Sequence, residues 1–400
     1  MKLDKKNVLV AMSGGVDSSV AAALLKKQGF GVEGVFMKLW KQPLKYTEKN
    51  IEPRGRELSG LEAARAVTQK LGIKFHTLDL RRDFKKIVVN YFLAEAKAGH
   101  TPNPCVVCNR EIKFGLLLKK AEELGADFLA TGHYARIEIS DVILSQQGEE
   151  FRRDPLVAVL PQDDKKKVRL FSAKDKQKDQ SYFLYRLNQR QLSKILFPLG
   201  DLTKNEVIKL AKKWQLPYQH QPSFDLCFAP GGAEDFVKKY SKLKTGKIIE
   251  QNNYSSSPRG EVLGQHHGLA LYTIGQRKGL NLSGGPWWVV EKDARQDILY
   301  VSKKEKDMYG RELLVEKINW VTGQPPKLPL KVLVKIRYRN EAAEAVLLQI
   351  ANRKVQSAKQ IKLEFKKPQR AITSGQSAVF YSRKDEVLGG GVITNKKGEI

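Results

Sequence analysis

Cysteine is scarce in this chain, with three residues in 400: Cys105, Cys108 and Cys227. An odd and sparse set argues against a disulfide framework and for metal binding or catalysis. Long apolar runs are missing too. No stretch reaches the roughly 18 residues that a membrane-spanning helix requires. Met1–Lys6 pass straight into a strand-like run, leaving no room for a signal or transit peptide. The expectation is a soluble cytoplasmic protein with no membrane partner. Negative charge is also short, with 43 acidic against 71 basic residues and a net charge of +28. Such an excess repels itself unless a polyanion uses it, and nucleic acid is the commonest; a solvated lysine-rich surface is the alternative. What is present, 41% hydrophobic residues over 400 positions, excludes wholesale disorder and exceeds one ordinary core.

The first 135 residues alternate strand and helix signals. Asn7–Met12, Gly31–Leu39, Lys74–Leu80 and Asp127–Thr131 read as strands; Ser18–Gln28, Leu61–Leu71, Asp83–Ala98 and Gly115–Leu124 read as helices. Such alternation predicts an α/β unit with a parallel, Rossmann-like sheet covered by helices on both faces. Ser140–Lys178 is polar and weakly periodic, a hairpin or loop insertion. Thr203 with Glu206 three residues later forms a capping-box signature for a helix reaching Trp214. From Lys247 onward short β-type runs take over: 269–274, 287–291, 298–301, 331–338, 344–350, 377–381 and 388–393. Their close spacing predicts a small antiparallel barrel or sandwich. The expected division is a catalytic domain at 1–220, a small central domain at 221–287 and a C-terminal β-barrel at 288–400.

Ser13-Gly14-Gly15-Val16-Asp17-Ser18 sits where a strand ends and a helix begins. Glycines let backbone approach a ligand closely, and the helix start offers unpaired N–H groups to an anion. The segment lacks Gly-Lys-Ser/Thr and is not a Gly-x-Gly-x-x-Gly fingerprint. It resembles instead the pyrophosphate loop of the ATP pyrophosphatase superfamily, whose members split ATP to AMP and pyrophosphate and adenylate a substrate oxygen. That resemblance implies Asp17 as a holder of Mg²⁺ on the pyrophosphate, with Ser13 and Ser18 donating hydroxyl hydrogen bonds.

Thr101–Arg110 (TPNPCVVCNR) reads as a loop stiffened by two prolines. Cys227 lies in Ser223–Phe228, an apolar stretch before Pro230-Gly231-Gly232. No histidine has zinc-ligand spacing to Cys105 or Cys108. A thioredoxin-type pair belongs at a helix start, whereas asparagine and proline precede this one. Zinc and redox readings remain beside catalysis at this point.

Together the blocks Ala11–Ser18, Thr101–Phe114, Thr131–Arg136, Lys178–Leu184, the Cys227 segment, Tyr272–Gly279, Lys335–Arg339 and Gly375–Tyr381 identify the chain as similar to the bacterial tRNA-uridine 2-sulfurtransferase (tRNA-specific 2-thiouridylase) family over nearly its whole length. The resemblance implies ATP-dependent thiolation of the wobble uridine, U34, in the tRNAs for lysine, glutamate and glutamine. Cys227 becomes the persulfide carrier, charged by a sulfur relay protein or cysteine desulfurase. Cys108 becomes the nucleophile that releases the sulfur, leaving a transient Cys108–Cys227 disulfide. ATP contacts carry over to Ala11, Met12, Ser13, Gly14, Gly15, Val16, Asp17, Ser18, Met37 and Gly132. Asn103, Pro104 and Cys105 match the target-base loop; His133, Lys178, Asp179, Gln180, Arg337, Tyr338 and Gln376 match tRNA contacts. Thiolate is the reactive form, so a basic RNA-facing site is expected to ionise these thiols.

The chain departs from the family twice. Cys105 stands where many members have aspartate, and Ser374 where proline commonly precedes Gly375-Gln376. Three thiols at one site also admit an iron–sulfur cluster on Cys105, Cys108 and Cys227. Two rivals remain: a small-molecule adenylating synthetase, which leaves the cysteines unexplained, and a non-catalytic RNA-binding protein, which has no need of Cys108 and Cys227.

Overall fold

The computed structural model describes residues 6–40, 59–141, 166–219, 226–251, 260–350 and 360–394. Strand β1 (Asn7–Ala11) carries Val8, Leu9 and Val10, all buried, because a parallel strand wrapped on both faces has no polar side. It leads into helix α1 (Val16–Lys27), whose Ala21, Ala22 and Ala23 are buried against the sheet. Strand β2 (Gly31–Lys38), helix α2 (Gly60–Leu71) and strand β3 (Lys74–Asp79) follow. Ser59 and Glu62 close a reciprocal capping box at the start of α2. Strand β4 (Phe128–Ala130) then pairs with the other edge of β1.

The chain next forms an antiparallel hairpin, β5 (Ala135–Asp141) with β6 (Lys166–Ser172). Residues 142–165, the middle of the expected insertion, lie outside the described residues, as does 223–225 of the Cys227 block. Short β7 (Ile195–Leu196) completes the parallel sheet in the order β3-β2-β1-β4-β7. Thr203 and Glu206 form the expected capping box on the helix Lys204–Lys213.

The middle sheet joins β8 (Gly246–Glu250), β9 (Val262–His266), β10 (Trp288–Asp293) and β11 (Ile298–Ser302) in the order β10-β11-β8-β9. Strand pairing thus carries the central unit to Ser302, past residue 287. Residues 269–271 are a 3₁₀ turn where a strand was expected, since Gly268 at φ 126° turns the chain and buries Leu269 and Tyr272 beneath the sheet.

Strands β12 (Tyr309–Trp320), β13 (Leu330–Lys335), β14 (Ala343–Gln349), β15 (Gln360–Arg370), β16 (Ser377–Tyr381) and β17 (Glu386–Thr394) make the antiparallel barrel. The ring β12-β15-β14-β13-β16-β17 closes because β17 also pairs with β12. The expected barrel is therefore present. One edge of β17 continues onto β6, so the hairpin of the first domain is stitched into the barrel. Val379, Tyr381 and Val387 share a core with Leu9, Phe114, Tyr182 and Tyr185, and the Tyr182 hydroxyl donates to the Ser377 carbonyl at 2.9 Å. Among the described residues no helix is long and apolar enough to cross a membrane.

Candidate active site

Strand order reverses beside β1: β2 lies on one edge and β4 on the other. Open α/β sheets bind ligands at such a switch point, beyond the carboxyl ends of the strands. The end of β1 supplies Ser13–Asp17 and the end of β4 supplies Thr131–His133, so both flank one crevice. Helix α1 starts at Gly15 with no side-chain cap, which leaves its first-turn N–H groups for an anion. The loop is held from within. Ser18 Oγ accepts from the Ser13 N–H at 3.1 Å, and Ser13 Oγ accepts from the Gly15 N–H at 3.3 Å.

Two glycines give the loop its fit. At φ 83° Gly14 lies against Gly60, whose carbonyl oxygen would be 2.3 Å from a Cβ there. A Cβ on Gly132 would stand 2.8 Å from Asp17 C and Ser18 N, so the β4 loop touches the backbone that opens α1. The Met12 N–H donates to Val35 at 2.8 Å, and Ala11 and Met37 border the same core as β1. Val16, the first residue of α1, packs against the cluster that holds Val20 and Tyr134. The Asp17 carboxylate accepts from Lys204 Nζ at 2.6 Å and from the Tyr134 hydroxyl at 2.8 Å, both on Oδ1. Sequence reasoning missed Lys204 and Tyr134, which sit far from the loop in sequence.

The thiols occupy a second locality. Pro104 at the first position starts a helix Pro104–Val107 that runs on through a π-helical stretch, Cys108–Leu116, into Leu117–Glu123. This corrects the expected loop at 101–110: proline's fixed φ suits a helix start. The π register displaces carbonyls from their usual partners, and the Gln191 amide donates to those of Arg110 (3.1 Å) and Phe114 (2.7 Å). Phe228, beside Cys227, meets Phe84, Phe92 and Phe236 with centroids 5.0–5.8 Å apart. Cys108 belongs to the same buried cluster. That shared core brings the two segments together.

Cys108 is buried, Cys105 half-buried and Cys227 exposed, and none is in a disulfide. Burial pushes the Cys108 thiol up to about 12; the charge of Lys113 pulls down against it, and Cys227 and Cys105 add to the rise. Desolvation also raises Cys227, again opposed by Lys113. The expectation that a basic site ionises these thiols is thus corrected: loss of solvent outweighs the positive charge.

The expected tRNA contacts divide. Lys178 is exposed, and Tyr338 is half-buried with its ring 4.5 Å from that of Phe183. Asn103 hydrogen-bonds Tyr182. The others make hydrogen bonds within the protein; His133 and Asp179 are buried, and Gln180, Arg337 and Gln376 are half-buried. His133, 9% exposed, hydrogen-bonds Thr131 Oγ1 at 2.7 Å, and burial lowers its pKa well below the usual value. Asp179, 3% exposed, accepts from the Ala173 and Ser181 N–H groups at 3.0 and 3.1 Å. Gln180 accepts from the Tyr134 N–H at 3.0 Å. Arg337 donates to the carbonyls of Ile274 and Ala371 and to Thr373 Oγ1 at 2.9–3.1 Å. Gln376 donates to the Thr101 carbonyl at 2.8 Å, tying the barrel to the Pro104 helix. Burial against backbone partners is invisible in a residue's type, so these roles could not be read beforehand.

The three cysteines differ in burial, and among the described residues no three His, Cys, Asp or Glu side chains gather as metal ligands.

Comparison with known proteins places this architecture. A family described as the tRNA methyl transferase HUP domain matches residues 6–231, the tRNA methyl transferase PRC-barrel domain matches 234–303, and the aminomethyltransferase beta-barrel domain matches 310–393. The tRNA-specific 2-thiouridylase MnmA of Nitrosococcus oceani is 40% identical over 402 residues, covering 98% of each chain. MnmA 2 of a Thermoanaerobacter species is 41% identical over 396 residues, covering 97% of this chain and 98% of that one. Among solved structures, the U34-tRNA thiolase NcsA from Methanococcus maripaludis with its [4Fe-4S] cluster is 18% identical, covers 60% of this chain and 67% of its own, and has a TM-score of only 0.32.

Proposed function

The chain belongs to the tRNA-specific 2-thiouridylase family, and from that premise we propose that it thiolates uridine in tRNA at C2, using ATP, at wobble position U34 of the tRNAs for lysine, glutamate and glutamine. The observation that carries this reading is the pairing of two localities in one domain: a glycine cradle at the sheet's switch point, and Cys108 and Cys227 within electrostatic reach of each other. Methyl transfer, the chemistry named in the domain descriptions, needs no such pair of thiols.

A C2 carbonyl does not surrender its oxygen as oxide. In the proposed reaction the uridine O2 attacks the α-phosphorus of ATP held by Ala11–Ser18 and Gly132, and pyrophosphate leaves. The oxygen then departs as part of AMP. A cysteine desulfurase or relay protein passes a sulfur to Cys227 by thiol exchange, and the donor leaves as its thiol. The outer sulfur of the Cys227 persulfide attacks C2 and expels AMP. Cys108 thiolate next attacks Cys227 Sγ, breaking its bond to the outer sulfur. This leaves the 2-thiouridine and a Cys108–Cys227 disulfide, which two electrons from a thiol reductant reopen. Lys178 meets phosphate, Tyr338 offers a stacking face, and Asn103 and Cys105 border the base. To meet both the α-phosphate and the Cys227 persulfide the base must leave its stack.

Mg²⁺ suits the cradle modestly. Asp17 Oδ1 is occupied by Lys204 and Tyr134, so the carboxylate would hold the ion through Oδ2, with the phosphates as its other ligands. Bound there, it would neutralise the leaving pyrophosphate. In this scheme the cysteines carry persulfide and disulfide chemistry.

The test is Cys227→Ser, assayed by mass spectrometry of digested tRNA. 2-Thiouridine is expected to vanish while ATP and tRNA binding persist; normal thiolation in this variant would end the assignment.

A further inference from the structure

Lys113 is a cation with no role in the chemistry above. It lies five residues after Cys108, within the π-helical stretch. In an α-helix two such positions point about 140° apart around the axis. Roughly one π turn separates them here, which swings Lys113 toward the Cys108 side. Its ammonium is 3.4 Å from His133 Nε2, while His133 Nδ1 is 2.7 Å from Thr131 Oγ1. Burial keeps His133 neutral. Its Nδ1–H therefore donates to Thr131, and Nε2 accepts from Lys113. No carboxylate pairs with Lys113 among the described residues, and adjacent Arg110 and Glu111 pair with each other at 3.3 Å. A half-buried ammonium held by a neutral ring still lacks an anion.

The groups facing it can supply one. Cys108 shares its helix, Cys227 comes from the segment packed against that helix, and His133 comes from the loop after β4. Lys113's charge acts on both Cys108 and Cys227. Cys105 also acts on Cys108. We infer that Lys113 is a positioning residue whose ammonium, fixed by the Thr131–His133 pair, serves as counter-ion to the Cys108 and Cys227 thiolates. It holds Cys227 and the buried Cys108 close enough to ionisation to exchange sulfur. Its purpose rests on the thiolation reading; its electrostatics do not.

The test alkylates the full-length protein in the absence of tRNA and ATP, with tRNA binding and 2-thiouridine formation measured in parallel on the same variants. Iodoacetamide alkylates a cysteine only as thiolate, which displaces iodide, so the rate against pH reports ionisation. The Cys227 peptide is followed by mass spectrometry in wild type, Lys113→Met, Lys113→Gln and Lys113→Arg, with ATP binding and thermal melting as checks on folding. The two neutral variants are expected to react about tenfold more slowly at neutral pH, with the curve displaced to higher pH, while Lys113→Arg follows wild type. Unchanged alkylation curves in a folded neutral variant would overturn the inference. So would unchanged curves with weakened tRNA binding, which would make Lys113 a phosphate ligand. A failed 2-thiouridine assay with the alkylation effect intact would count against the thiolation reading and leave the Lys113 electrostatics standing.

Discussion

The glycine loop and the thiol pocket solve opposite problems. The loop is built from neighbours in sequence, satisfies its own backbone through Ser13 and Ser18, and offers N–H groups that need no ionisation to receive phosphate. The thiol pocket is assembled from distant segments through an aromatic core, and burial raises the pKa of its Cys108 thiol. One site is ready before its ligand arrives; the other keeps its nucleophiles quiet. In the proposed scheme, where Cys227 carries a persulfide that stray electrophiles could consume, this difference is useful. It also separates the two sites experimentally.

The largest effect expected from breaking one site alone comes from Gly132→Ala. Its Cβ would meet the backbone of Asp17 and Ser18 at 2.8 Å, atoms that cannot swing aside. Overpacking of this kind costs about 2 kcal/mol, or roughly thirtyfold in ATP affinity by calorimetry; alkylation of Cys227 should not change. Next comes pH. A thiol raised to about 12 at Cys108 means that the thiolate fraction climbs about tenfold per unit throughout the neutral range. Single-turnover thiolation should rise with pH accordingly, while tRNA-dependent ATP–pyrophosphate exchange should not. A shared pH profile would erase the contrast. The last effect falls on stability rather than on either site and concerns the frame that holds both. Asp179→Ala strands the N–H groups of Ala173 and Ser181 in the interior, at a cost of about 2 kcal/mol of stability seen in thermal melting.

The loop was legible because its chemistry lies in consecutive residues, and so was the capping box at Thr203 and Glu206. Strand β16 was read at its observed limits, Ser377–Tyr381. The two longest barrel strands were not anticipated. In β15, Ile361, Leu363 and Phe365 alternate inward, but Lys366, Lys367 and Pro368 after them blur the pattern. In β12 the register shifts between Glu316 and Asn319 break the period. The π stretch was hidden because its residues read as ordinary amphipathic helix, and its stability depends on the amide of Gln191. His133, Asp179 and Arg337 carry types that suit RNA contact; only folding reveals the internal partners that each also holds.

Uridine labelled with ¹⁸O at C2 in the substrate tRNA tests most directly whether the cradle serves the thiols. If ATP primes the base oxygen for departure, the AMP released alongside 2-thiouridine must carry one ¹⁸O, read by mass spectrometry. Thiolated tRNA accompanied by unlabelled AMP would contradict the account.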